Sequence, residues 1–436
     1  MYPHSTQGID VAQLSPWLKQ ATGVIAARGE GVHLFDEDDR RYLDFTAGIG
    51  VTSTGHCHPR VVEAAQHQVA TLIHAQYTTV MHRPLLTLVD RLSEVLPAGL
   101  DQMFFANSGS EAIEAALRLA RQATGRPNIV AFHGGFHGRT VGAASMTTSG
   151  TKYRAGFAPL MAGVQVAPFP APTHFGWSEE ECTDFALRQL DYVLQTLTAP
   201  QDTAAFIVEP VLGEGGYIPG NARFFAGLRE RADRHGIVLI IDEVQTGWGR
   251  TGRFWGGDHF DVRPDILVTA KGLASGFPLS GIAASAELMA KAWPGSQGGT
   301  YGANAVACAA ALATLDVIED EKLVQNSADR GDELKSALAD VASQHTQIAD
   351  VRGLGLMLGN EFRDAAGNPD GAAAAAAQQE AARRGLLLLT CGAWGEVVRF
   401  IPPLVVQPEH VEEAAAIWTD SVAATLDAGT AQSAAS

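Results

Sequence analysis

Between about Val51 and Asp320, short and wholly apolar runs alternate with longer stretches whose apolar positions recur every three or four residues. The short runs include QMFFAN (102–107), NIVAFH (128–133), AAFIVEP (204–210), GIVLIIDEV (236–244) and DILVTAKG (265–272). Strands without polar alternation are buried on both faces, which predicts a parallel sheet covered by helices on each side. The intervening helices include EAIEAALRLARQATG (111–125) and FFAGLRERADRHG (224–236), the second stopping on Gly236. Residues 24–45 are predicted as short strands broken by Gly-Glu-Gly and an acidic turn. From Leu323 the pattern changes: a helix, then QIADVRGLGLMLGNEF, an Ala-rich helix near 371–384, and strands around LLLLT and VVRFIPP. The expected fold is α/β. A large domain (51–322) holds a mostly parallel central sheet, and a smaller α+β domain (323–436) draws in the N-terminal segment (1–50). The tail DAGTAQSAAS is expected to be disordered.

A net charge of −17 argues against nucleic acid or an anionic membrane as partner, since either needs a basic face. An anionic ligand would therefore need a local positive site. The four cysteines form no CxxC pair, as in a reduced intracellular protein. The opening MYPHSTQGIDVAQLSPW lacks a basic stretch followed by an apolar core, and no apolar run approaches the roughly 20 residues of a membrane span. A cytoplasmic location is the expectation.

Open parallel sheets bind ligands at the carboxyl ends of their strands, and four polar clusters fall there. Asn107-Ser108-Gly109-Ser110-Glu111 precedes a strong helix; it fits a phosphate cradle, or simply a serine N-cap with an acidic first turn. Asp242 ends the most apolar strand and would either touch a ligand or cap the next segment. Lys271 follows DILVTA, where a lysine is costly unless it is paired or desolvated for Schiff-base chemistry. His133-Gly-Gly-Phe136-His-Gly-Arg139-Thr sets an aromatic ring and an arginine among glycines.

Together the four suit a phosphorylated pyridine aldehyde, which needs an anion site, a carboxylate for the ring nitrogen, an aromatic face and a lysine. With the motifs LDFTAGIGVTSTGHCHP, ANSGSEAIEAALRLAR, AFHGGFHGRT, IVEPVLGEGG, LIIDEVQTGWGRTG, PDILVTAKGLASGFPLSG and GGTYGANAVACAAALATLDVIE, the chain resembles the class III aminotransferases of fold type I, and among them the 4-aminobutyrate aminotransferases. The resemblance runs from about Gly31 to Pro403. It implies pyridoxal 5′-phosphate (PLP) as cofactor and a homodimer or a tetramer of paired dimers. No metal is implied.

By the same resemblance, Ser108, Gly109 and Ser110 hold the phosphate, joined by Thr300 from the other subunit. Phe136 and Val244 take the two ring faces, Asp242 the ring nitrogen and Gln245 the 3-hydroxyl oxygen. Lys271 carries the cofactor as a Schiff base and shuttles the proton. Arg139 reads the carboxylate distal to the reacting amine, Arg399 an α-carboxylate, and Glu214 neutralises Arg399 when no α-carboxylate is present. Ile49 and Thr78 lie in substrate-facing stretches; Thr78 stands where bacterial 4-aminobutyrate enzymes carry glutamine. The implied reaction takes an amino group from an ω-amino acid to 2-oxoglutarate. Ornithine, lysine and other ω-amine aminotransferases, racemases and amine-phosphate lyases share the cofactor. A racemase or lyase has less use for Glu214 with Arg399, and a phospholyase would not be expected to carry Arg139.

Two rival readings fail on context. Gly247-Trp-Gly249-Arg-Thr-Gly252 matches GxGxxG, but no helix pattern opens after it and no acidic residue ends a next strand about 20 residues on. His56, His58, His133 and His137 could suggest a metal hydrolase, yet they show no helical i,i+4 pairing and no carboxylate partner nearby, and loop histidines making local hydrogen bonds are the expected reading.

Overall fold

Alternate residues of the apolar runs face opposite sides of one sheet. Ile129, Ala131, Ile207, Ile240 and Val268 are buried on one side with the helix Gly109–Thr124. Val130, Phe132, Val208, Leu239 and Ile241 are buried on the other, against the helices Glu179–Thr196 and Ala222–His235. A strand covered on both faces has no position left for a solvent-facing polar residue, which explains the unbroken apolar text.

The structure, a computed structural model, describes the backbone of residues 14–433 and side chains through Leu426. Residues 1–13, part of the opening MYPHSTQGIDVAQLSPW, lie outside the described residues. The central sheet has seven strands in the order Gln102–Ala106, Ser280–Ala284, Ile266–Thr269, Val238–Asp242, Thr203–Val208, Asn128–Phe132 and Val164–Ala167. Ser280–Ala284 runs antiparallel to both its neighbours, and the other adjacent pairs are parallel. This is the α/β architecture expected of a fold type I PLP transferase.

Two further four-stranded sheets lie outside it. Ala26–Glu30, His33–Asp36 and Arg41–Asp44 are joined by Leu386–Leu387, which pairs in parallel with Arg41–Asp44. The strands Ile348–Leu354, Met357–Phe362, Val397–Phe400 and Leu389–Cys391 form an antiparallel sheet. Its core centres on Trp418, whose ring meets Phe400 and Phe362 edge-on. The tail expected to be disordered instead extends the helix Pro408–Ser433, in keeping with the helix propensity of alanine; residues 434–436 lie outside the described residues. Among the described residues no helix is long and apolar enough to cross a membrane.

Candidate active site

The carboxyl ends of the central strands open on a cavity of about 310 Å³, lined among others by Ser108, Gly109, Ser110, Phe136, Glu214, Asp242, Val244, Gln245 and Lys271. Segments distant in sequence meet here because parallel strands end on one edge of the sheet.

Ser108 is the N-cap of the helix Gly109–Thr124 in a reciprocal capping box with Glu111. The N-cap reading of the cluster holds: Ser108 is occupied as a cap, and Gly109 and Ser110 lie in the first helical turn at the positive end of the dipole. Across from them, Gly138 adopts φ +128°, and a Cβ there would lie 2.2 Å from Ser110 Oγ. Only glycine lets the 133–140 loop come this close. Arg139 N–H donates to Ser110 Oγ at 3.2 Å.

Asp242 is 3% exposed; its Oδ2 is 2.8 Å from His137 Nδ1, and its Oδ1 accepts from Val244 N–H at 3.0 Å. Lys271 sits two residues beyond its strand on a short 3₁₀ turn, with φ +45°. A non-glycine residue in that region costs about 1–3 kcal/mol and persists only where its surroundings enforce it. Here Gly272 packs on buried Trp248, whose Nε1–H donates to Thr269 Oγ1 at 2.7 Å. Burial pushes the Lys271 ammonium down to about 8, and Arg399 adds to the lowering against the nearby carboxylates.

Arg399 is 4% exposed on the strand Val397–Phe400 and is ion-paired through Nη1 with Glu214 Oε1. Burial alone would raise the Glu214 carboxyl, but Arg399 and the Tyr153 hydroxyl outweigh it and hold it below the usual range. Burial would likewise lower the guanidinium, and Glu214 more than reverses this.

The remaining predicted residues do not line this cavity. Ile49 is 46% exposed, and Thr78 and Thr300 are exposed as well. Thr78 donates both N–H, at 2.7 Å, and its hydroxyl to Gln76 Oε1, so a glutamine does stand beside it. Arg139 is exposed, with its guanidinium over the Tyr153 ring at 4.9 Å.

Three neighbours were missed as site residues in the sequence. Tyr153 O–H donates to Glu214 Oε2 at 2.9 Å, and its ring meets Phe136 edge-on at 5.0 Å. No periodicity marks that loop tyrosine. Buried Glu209 accepts from Phe136 N–H at 2.8 Å and Gly213 N–H at 2.9 Å, and burial raises its carboxyl well above the ordinary range. Its place at the end of an apolar strand, like that of Asp242, was a usable signal. His137, expected to make only a local hydrogen bond, instead reaches Asp242 from a distant segment. The loop histidines do have carboxylate partners, contrary to expectation: His56 meets Asp44 at 2.8 Å, His58 meets Glu321 at 3.0 Å and His137 meets Asp242. Those partners are remote in sequence. Among the described residues no His, Cys, Asp and Glu side chains group in threes as a metal site. The Gly247–Gly252 stretch is followed by a single 3₁₀ turn, Gly256–His259, and not by a dinucleotide-binding helix.

A lysine of depressed pKa, a buried carboxylate, an aromatic ring and a helix N-terminus around one cavity suit a cofactor that is both anionic and electrophilic. The side chain of Gln245 adds a buried Oε1 without a hydrogen-bond partner, an atom that a ligand hydroxyl would satisfy. Fold and site thus define a PLP enzyme of fold type I. Residues 15–422 match the family model for class III aminotransferases. The 5-aminovalerate aminotransferase DavT of Pseudomonas aeruginosa is 38% identical, with 91% of this chain and 93% of that protein covered. The 4-aminobutyrate aminotransferase GabT of Escherichia coli is 39% identical, with 89% and 91% covered. An ω-transaminase from Pseudomonas jessenii, solved in complex with PMP, superposes with a TM-score of 0.87 at 28% identity, covering 93% of each chain. The chain belongs to the class III aminotransferases. It is a PLP-dependent transaminase that uses an amino donor and a keto-acid acceptor.

Proposed function

We propose that the enzyme transfers the amino group of an ω-amino acid of the 4-aminobutyrate class to 2-oxoglutarate by a ping-pong route, yielding a semialdehyde and glutamate. The observation that carries this reading is the buried Glu214–Arg399 pair beside Lys271. An unpaired guanidinium in such a pocket is strongly unfavourable, so Arg399 needs an anion at every stage. Glu214 provides it when the donor has no α-carboxylate. Glutamate and 2-oxoglutarate bring their own, and Glu214 then gives way. The two relatives named for 4-aminobutyrate and 5-aminovalerate, both ω-amino acids, agree with this reading.

Bound PLP supplies an electron sink and carries the amino group between the two substrates. Gly109 and Ser110 would hold its phosphate, with Thr300 of the partner subunit. Phe136 and Val244 would flank the ring, Gln245 would reach the 3-hydroxyl, and Asp242, steadied by His137, would keep the ring nitrogen protonated. Lys271 would hold the aldehyde carbon, and its Nζ, once the donor amine has displaced it, would take the proton from the donor's amine-bearing carbon and deliver it to the cofactor carbon that it had held. Arg139 would bind the distal carboxylate of either substrate. The exposed Ile73, Val80, Met81 and Tyr301, near Thr78 and Thr300 in sequence, support a homodimer completing this edge of the site.

Glu214→Gln tests the reading. Single-turnover conversion, followed by cofactor absorbance, should slow with 4-aminobutyrate by the equivalent of roughly 1–3 kcal/mol and stay near wild type with glutamate. Equal losses with both donors would reduce Glu214 to a structural residue.

A further inference from the structure

Glu214 has two holders, and only one of them is an arginine. Its Oε1 faces Arg399, and its Oε2 accepts a hydrogen bond from the Tyr153 hydroxyl at 2.9 Å. Tyr153 is 6% exposed and is carried on the turn Thr151–Tyr153, outside the strands and loops that position the rest of the site. Its ring is fixed by Phe136 at 5.0 Å and lies under Arg139 at 4.9 Å. One side chain therefore touches the residue read here as gating the α-carboxylate site, the arginine read as binding the distal carboxylate, and the ring read as covering the cofactor.

We propose that Tyr153 is a specificity-determining positioning residue: its hydroxyl latches Glu214 in the arginine-paired orientation and so sets how readily Arg399 is released to an α-carboxylate. This rests on the functional reading above, in which Glu214 and the ligand carboxylate compete for Arg399. A phenol that donates to a buried carboxylate stabilises that carboxylate where it is. An α-carboxylate can take Arg399 only after Glu214 has left, so the ligand must also break the Tyr153 bond. The ω-amino donor never needs Glu214 to move. The latch thus penalises dicarboxylate ligands and leaves ω-amino acids untouched. Burial and the adjacent Glu214 keep the Tyr153 hydroxyl protonated, and therefore a donor, across the physiological range.

Tyr153→Phe removes only the hydroxyl and retains the ring that Phe136 and Arg139 contact. The probe is glutarate, an unreactive five-carbon dicarboxylate, titrated into the PLP-loaded enzyme and read by the change in cofactor absorbance. Tyr153→Phe should bind glutarate about tenfold more tightly than wild type, the equivalent of one lost hydrogen bond to a charged group. Unchanged or weaker glutarate binding would overturn the latch. Arg399→Ala, titrated in parallel, separates this from failure of the underlying reading. If Arg399→Ala loses glutarate binding while Tyr153→Phe matches wild type, only the role of Tyr153 falls. If Arg399→Ala binds glutarate like wild type, or wild type does not bind it at all, the competition for Arg399 falls and the latch with it.

Discussion

His137 Nδ1 lies 2.8 Å from Asp242 Oδ2, and both side chains are almost fully buried although 105 residues separate them. The histidine holds the Asp242 carboxylate in place at the cavity wall. Asp242→Asn retains the shape and removes the charge. The proton-transfer step should slow by roughly 100-fold or more, as for other lost electrostatic stabilisers. Single-turnover kinetics with a saturating donor measure this, and a wild-type rate would show that the carboxylate serves only the fold.

Lys271→Ala should abolish turnover while leaving PLP able to bind through the helix N-terminus and Asp242. Absorbance of the purified variant, before and after the cofactor is supplied, distinguishes loss of the covalent link from loss of binding. Turnover at the normal rate in this variant would sink the whole assignment.

The depressed pKa of Lys271 sets a pH dependence. Its ammonium loses its proton near 8 in the folded chain, against an ordinary value of 10.5, so the nucleophilic amine is present above about pH 8 and lost below it. Capture of PLP by the cofactor-free enzyme should therefore accelerate as pH rises, with a midpoint near 8, before levelling off. A midpoint near the ordinary lysine value would mean that burial does not tune this amine.

Arg139 should serve both half-reactions, since the distal carboxylate is common to donor and acceptor. Its exposure places the expected cost of Arg139→Ala below that of a buried charge pair, at about 1 kcal/mol. The KM values for donor and for 2-oxoglutarate should rise together. A rise in one alone would show that Arg139 is not the shared anchor.

The sequence by itself determined most strands of the central sheet and the helices that cover it, and its motifs, through the family they resemble, the chemical class. Unbroken apolar runs such as LIID report burial on both faces whatever the partners are, and Asp242 and Lys271 were conspicuous because a charge at the end of such a run is expensive unless used. The strands Val164–Ala167 and Ser280–Ala284 did not stand out, because four residues are too few to show a period and Ser-Gly-Ile-Ala-Ala has little β preference of its own. Only the tertiary structure decided which charges meet. Glu214 and Arg399, 185 residues apart, could be paired in advance only by resemblance. The contacts of Tyr153 with Arg139 and Glu214 and of His137 with Asp242 had no counterpart in any local pattern, and the strand-end place of Glu209 did not reveal that it would meet Phe136. Local sequence records whether a position is buried and how the backbone turns. Which polar group lies opposite depends on the convergence of strand ends remote along the chain, and that convergence exists only once the sheet has formed.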